Sequence, residues 1–133
     1  MFRLSIIAFL ILLLAACASP VSRKRGQDLT TAIDRYAAAL RWSRIDEARD
    51  YHVDREGVGL EQDLSFMDSI RVTGHKIRER IIDRDISEAT VTGEFSYYNE
   101  DYGTLKTIPF TQQWWYQEDV KKWFIESPFP EFK

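Results

Sequence analysis

Two loops of four residues, 100–103 and 118–121, constrain this chain more than any other feature, because each sets the register of the alternating stretches on either side of it. Residues 88–98, 105–117 and 122–126 alternate apolar with polar side chains, the period of a strand with one face buried. If 100–103 closes a hairpin, Phe95 stands opposite Ile108, Gly93 opposite Phe110, Val91 opposite Gln112 and Ala89 opposite Trp114. The other face then carries Thr90, Thr92, Glu94, Ser96, Thr107, Thr111 and Gln113. Closing 118–121 sets Tyr116 against Trp123 and Trp114 against Ile125, which continues the same apolar face. Since a slip of one residue would turn either hairpin inside out, their agreement predicts an antiparallel sheet covered on one side. A fourth strand is expected over 70–82. There Ile70 and Val72 have one parity and Ile77 and Ile81 the other, so a bulge near Gly74 is needed, and it would curve the sheet.

The cover comes from upstream. Leu29, Ala32, Ile33, Tyr36, Ala37 and Leu40 form one stripe of a helix that Asp28 opens. Ser43 and Asp46 have capping-box spacing before a shorter helix carrying Ile45, Ala48 and Tyr51 or His52 inward. Residues 55–59 interrupt it, and Leu60, Leu64 and Met67 predict a third short helix. The expected class is α+β, with N-terminal helices packed on a curved four-stranded antiparallel sheet. A chain of 133 residues has room for one such domain, and its four Trp, six Tyr and eight Phe supply the core. A net charge of −3 offers no basic excess to a phosphate backbone, so no nucleic-acid partner is expected. The single cysteine excludes an internal disulfide.

That cysteine follows Arg3, an apolar run from Leu4 to Leu14, and two alanines. The run is shorter than the roughly 20 residues a transmembrane helix needs, and its anatomy is that of a signal peptide. Leu14-Ala15-Ala16-Cys17 resembles the bacterial lipobox. That resemblance implies cleavage after residue 16, acylation of Cys17 and attachment to membrane lipid. Cleavage removes Arg3 and no acid, leaving a net charge of −4. Ala18 and Ser19 follow instead of the Asp that commonly retains such lipoproteins in the inner membrane, which implies the periplasmic face of the outer membrane. Residues 17–26, with Pro20, Gly26 and the cations Arg23, Lys24 and Arg25, read as a lipidated tether in front of a domain over 27–133. Two further readings remain for this segment: an ordinary secretory signal with a chance cysteine, and a basic cluster that meets lipid head groups.

In its order of elements the chain resembles the nuclear transport factor 2-like superfamily, a cone-shaped α+β fold. The stretches that carry this are AIDRYAAALRWSRIDEARDYHVD in front and GEFSYYNEDYGTLKTIPFTQQWWYQEDVKKWFIES behind. Ketosteroid isomerase is the catalytic representative of that superfamily, and Tyr36 matches the position of its first-helix tyrosine. Its other catalytic positions are not matched. GVGLEQD, with Glu61 and Asp63, stands where the base belongs, and Phe110 and Gln112 occupy the strand of the acidic donor. Tyr36 is therefore expected to be a core aromatic with a satisfied hydroxyl, and no catalytic residue and no cofactor is assigned.

Gln112, Tyr97 and Tyr116 face inward by parity and, with Tyr36, are candidates to line a cavity between sheet and helices. His75 and Glu79 share a parity with Ile77 and Ile81. They either join that lining or, as expected, stand in water beyond the helices. The two histidines have no close pairing, so no metal site is assigned. Trp114 and Trp115 must point to opposite faces, which puts Trp115 outside beside Phe124. This patch invites a cover: the tail SPFPEFK through Phe129 or Phe132, a second copy of the chain as a homodimer, or an envelope protein. The functional expectation is a membrane-anchored, non-catalytic binding or assembly module. A small-ligand carrier or an enzyme using the conical cavity is the competing class.

Overall fold

A computed structural model describes residues 19–133; the expected signal peptide 1–16 and Cys17, the expected site of lipid attachment, lie outside the described residues. Helix α1 spans Pro20–Arg41 and is followed by the five-residue helix α2, Ile45–Arg49, and a 3₁₀ turn, Ser65–Ser69. Strands β1 (Ile70–Ile82), β2 (Glu88–Asn99), β3 (Leu105–Gln117) and β4 (Lys122–Ile125) form one antiparallel sheet in the order β1-β2-β3-β4. The class is α+β, with a single helix of length where several N-terminal helices were expected.

The helix also starts earlier than the composition suggested, so the segment expected as a tether up to residue 26 is instead helical from Pro20. Ser19 is extended and its side chain accepts the Ser22 N–H at 3.2 Å, while Pro20 occupies the first helical position. That is a strong start signal, since proline lacks only an N–H that the first turn could not use. Gly26, inside the helix, is tolerated because its neighbour Arg25 is anchored on the sheet. Arg25 Nη2 donates to both carboxylate oxygens of Glu118 at 2.5 and 2.7 Å, and the guanidinium lies 4.5 Å from the centre of the Tyr116 ring. Trp123 Nε1 donates to the Arg25 carbonyl at 3.0 Å. The inward stripe is Leu29, Ile33, Tyr36, Ala39 and Leu40, all buried.

At the other end of α1 the expected capping box does not form. The Ser43 N–H bonds the Leu40 carbonyl and the Arg44 N–H bonds that of Ala39, a Schellman closure that needs a left-handed residue at position 43. Ser43 takes it at φ 56, and Arg44 leads into α2 without a side-chain cap. The third helix reduces to the 3₁₀ turn, because Asp63 accepts the Ser65 N–H and turns the chain before Leu64 and Met67 are buried.

The two hairpins have the register read from their loops: Phe95 pairs with Ile108, Gly93 with Phe110, Val91 with Gln112, Ala89 with Trp114, Trp114 with Ile125 and Tyr116 with Trp123. A glycine stands in the middle of β2 because a Cβ at position 93 would run into the Lys76 carbonyl oxygen and come within 2.8 Å of Phe110 Cζ. In β1 the register shifts between Val72 and Gly74 as expected, and again between Ile77 and Glu79. The second shift alters which residues face inward. Arg80, opposite Val91, turns to the helix side and donates to Thr30 Oγ1 at 3.0 Å, whereas Glu79 and Ile81 are exposed. His75 does not stand in water: its ring stacks on Phe110 at 5.2 Å and 8°.

Candidate functional site

Three of the four cavity candidates are buried in the core. The Tyr36 hydroxyl lies 3.0 Å from His52 Nε2, and His52 Nδ1 lies 2.9 Å from the Ser127 carbonyl oxygen. A carbonyl can only accept, so Nδ1 carries the proton, Nε2 presents its lone pair, and the Tyr36 O–H donates to it. Burial holds His52 in the neutral form and pushes its pKa down, with the Ser127 carbonyl opposing in part. Burial also pushes the Tyr36 phenol far up, and the Gln112 amide counters only a fraction of this. Gln112 is 2% exposed; its Oε1 accepts from Trp114 Nε1 at 3.3 Å, while its Nε2 has no partner among the described residues.

A phenol donating to a neutral imidazole is a possible proton relay in chemical terms, but this one is roofed. Phe129 is buried with its ring 5.1 Å from that of His52, and Phe132 packs 5.4 Å from Phe95 and 5.0 Å from Tyr97. The Tyr97 hydroxyl donates to the Lys133 carbonyl at 2.7 Å and accepts the Lys133 N–H at 3.2 Å. Tyr97 thus holds the tail down. The chain's own segment 127–133 occupies the inner side of the sheet, the place assigned to a ligand cavity. Tyr116, the fourth candidate, lies apart from these three and stacks with Arg25 and Trp123.

The expected outer patch is closed as well, by a different segment. Trp115 and Phe124 do meet, at 5.8 Å between rings, but Trp115 is only 7% exposed. Its Nε1 donates to the Val53 carbonyl at 2.8 Å, and Arg55 lies 5.5 Å from the ring centre while pairing with Glu88 and Glu126. The reason is the edge of the sheet. The Val53 N–H bonds the Ile125 carbonyl and the Ile125 N–H bonds that of Tyr51, so residues 51–53 extend the sheet in parallel and deliver 53–55 onto the outer face.

What stays open is an elongated groove of about 730 Å³ between α1, α2 and β4. Ala32 and Ala38 form one wall, Glu47 and Tyr51 another, and Lys122 and Trp123 the third. Along a strand the backbone groups alternate sides, so Trp123, two residues before Ile125, points its N–H and C=O away from β3 toward this groove. Among the described residues nothing takes up those two groups. Burial raises the pKa of the Tyr51 phenol, Arg35 lowering it and Glu47 raising it further. A smaller recess of about 340 Å³ lies beside His52, Glu61 and Pro128. Glu61 lines it together with His52, and the Asp63 carboxyl is held low by the Ser65 N–H; neither acid hydrogen-bonds the Tyr36 hydroxyl or His52. Among the described residues no three His, Cys, Asp or Glu side chains converge as metal ligands, and no helix is long and apolar enough to cross a membrane.

Sequence reasoning placed Tyr36 and Gln112 together but missed His52 as the partner of the Tyr36 hydroxyl. The pairing of His52 with Ser127 spans 75 positions, and no periodicity signals it. The groove was also missed, because it is bounded by a strand edge rather than by a stripe of side chains. No family model matches the chain, and comparisons with the curated proteins and with solved structures return no match.

Proposed function

We propose that this chain is a lipoprotein anchored through Cys17 to the periplasmic face of the outer membrane. Its domain, a nuclear transport factor 2-like cone, works there as a non-catalytic binding or assembly module. The observation that carries the binding reading is the contrast between the two sides of the sheet margin. The inner side is stoppered by Phe129 and Phe132, whereas the groove beside β4 is open and presents the Trp123 backbone groups without partners. An extended segment of an envelope protein, laid along Trp123 as an added strand, would satisfy both groups and place alternate side chains against Ala32, Ala38 and Tyr51.

The test is native mass spectrometry of the full chain extracted gently from its own membrane, for the wild type and for Ala38→Trp, which fills the groove. The wild type is expected to be heavier than the cleaved polypeptide by acyl chains and to carry a protein mass that Ala38→Trp loses. An unmodified chain would overturn the anchoring. A protein mass retained by Ala38→Trp, or a monomer in both samples, would overturn the groove.

A second reading, a small-ligand carrier or enzyme, is favoured by one observation: the Gln112 amide nitrogen is buried without a hydrogen-bond partner among the described residues. Burying an amide without a partner costs about 1–3 kcal/mol, and a ligand that reached it could recover this. A small non-covalent mass that Gln112→Ala abolishes would establish this reading.

A further inference from the structure

We infer that the end of the domain formed by the first turns of α1, the β1–β2 turn and the β3–β4 turn rests directly on the lipid surface; the inference is built on the anchoring at Cys17 proposed above. The argument begins from the start of α1. With a tether running to residue 26, acylated Cys17 would leave the domain free to turn at the end of a chain about 30 Å long. Because the helix begins at Pro20, only three virtual bonds separate Cys17 from the folded unit, and whatever path they take they reach at most about 11 Å. That is less than the thickness of a head-group layer plus one side chain, so the N-terminal end of α1 must lie at the membrane.

The first turns of α1 are fixed to a particular part of the sheet. Arg25 is locked to Glu118 at the start of the β3–β4 turn, and its carbonyl is locked to Trp123. Arg80 near the end of β1 reaches Thr30 of α1, and Arg41 at the end of α1 donates to the Thr73 carbonyl near the start of β1, so β1 runs antiparallel to the helix and its C-terminal end points the same way as the helix start. The Tyr116 N–H bonds the Ser87 carbonyl, joining the β1–β2 turn to the same margin. Held on so short a leash and braced by these contacts, the domain presents this end to the bilayer and has little freedom to present another.

The surface at this end suits that occupant. Val21, Ile81, Ile82 and Val120 are large apolar side chains left exposed, Val21 at 62%. Between them stand Arg23, Lys24, Arg84, Lys121 and Lys122, none of which forms an ion pair among the described residues. Of the acids here Glu118 is paired with Arg25, while Asp28, Asp83, Asp85 and Asp119 stand against the five cations; Asp83 is held ionised by the Ser87 and Glu88 N–H groups, so the cationic excess is small. A mature chain of net charge −4 therefore turns an apolar-studded end with a slight cationic excess to the side where anionic head groups would lie. The opposite end, with Trp42, Tyr102 and Leu105 exposed, faces away from the membrane.

The acylated full chain, reconstituted into vesicles of phosphatidylethanolamine and phosphatidylglycerol, tests this through an environment-sensitive label at Val120→Cys or at Tyr102→Cys. Native Cys17 is blocked by its acyl chain and takes no label. A label at 120 is expected to shift to the blue and to be quenched by lipid-borne quenchers, with one at 102 unaffected. Lys121→Asn, which removes one charge at a left-handed position that Asn tolerates, should lower the docking equilibrium constant, read from the quenching at 120, about five-fold. Vesicle flotation with equal quenching at both sites, or more at 102, would overturn the docked end while leaving the anchor standing. Failure of the acylated chain to float with vesicles would overturn the anchor and the docked end together.

Discussion

Lowering the pH from 7 to 5.5 should destabilise this domain through its two histidines. Burial keeps His52 neutral with Nε2 as an acceptor, and burial likewise pushes the His75 pKa down, with Asp34 opposing. Both folded pKa values lie below that of the unfolded chain, near 6.5, so the unfolded state binds more protons as the pH falls. The stability these groups contribute is complete above pH 6.5 and is lost as the pH drops toward their folded pKa values. For a histidine that stays neutral when folded, the loss between pH 7 and 5.5 is RT ln[(1 + 10^1.0)/(1 + 10^−0.5)], about 1.3 kcal/mol. Two histidines set a ceiling of about 2.5 kcal/mol, a sizeable part of the roughly 5–15 kcal/mol that domains possess. Carboxylates contribute little in this window, because they are ionised in both states. Urea unfolding followed by Trp fluorescence at the two pH values reads the change directly. His52→Gln and His75→Gln cannot protonate, and each should remove up to half of the pH-dependent loss whatever its own effect on stability. A wild type equally stable or more stable at pH 5.5 would refute the assignment of both rings as groups held neutral by the fold.

Two backbone positions give further tests. Gly93→Ala puts a methyl group against the Lys76 carbonyl and the Phe110 ring, and with both fixed in the sheet the loss should reach about 3 kcal/mol, seen as a fall in Tm of well over ten degrees. Ser43→Gly should raise stability by about 1 kcal/mol, since the Schellman closure needs a left-handed residue there and glycine adopts it without strain; an unchanged or lower urea midpoint would refute this.

The sheet was legible because two short loops left its register no freedom, and because the residues that identify the faces, Trp114 and Ile125 within and Thr90 and Gln113 without, lie close in sequence. The first shift in β1 was legible as a parity conflict. The second was not, because Arg80 facing inward looks like a broken pattern until Thr30 supplies its partner. The start of α1 was misread through its polar composition, although Ser19-Pro20 carries the local signal. The candidate site was half legible: parity turns Gln112 inward and the helical stripe buries Tyr36. Which segments roof Trp115 and His52 depended on contacts across 62 and 75 positions, where the sequence has no periodic trace to follow.

The hydrogen bond from Trp123 Nε1 to the Arg25 carbonyl joins residues 98 apart. Strands β1 to β4 follow one another through short turns and can pair as they are made, at small cost in loop closure. Helix α1 reaches β1 through Thr30 and Arg80 but meets β4 across almost the whole domain, so its docking on β4 is expected to be the last step of folding. Until it occurs, Trp114, Trp123 and the face they share lack their cover, so the newly paired sheet passes through a stage in which its most apolar surface is available to chaperones or to other chains.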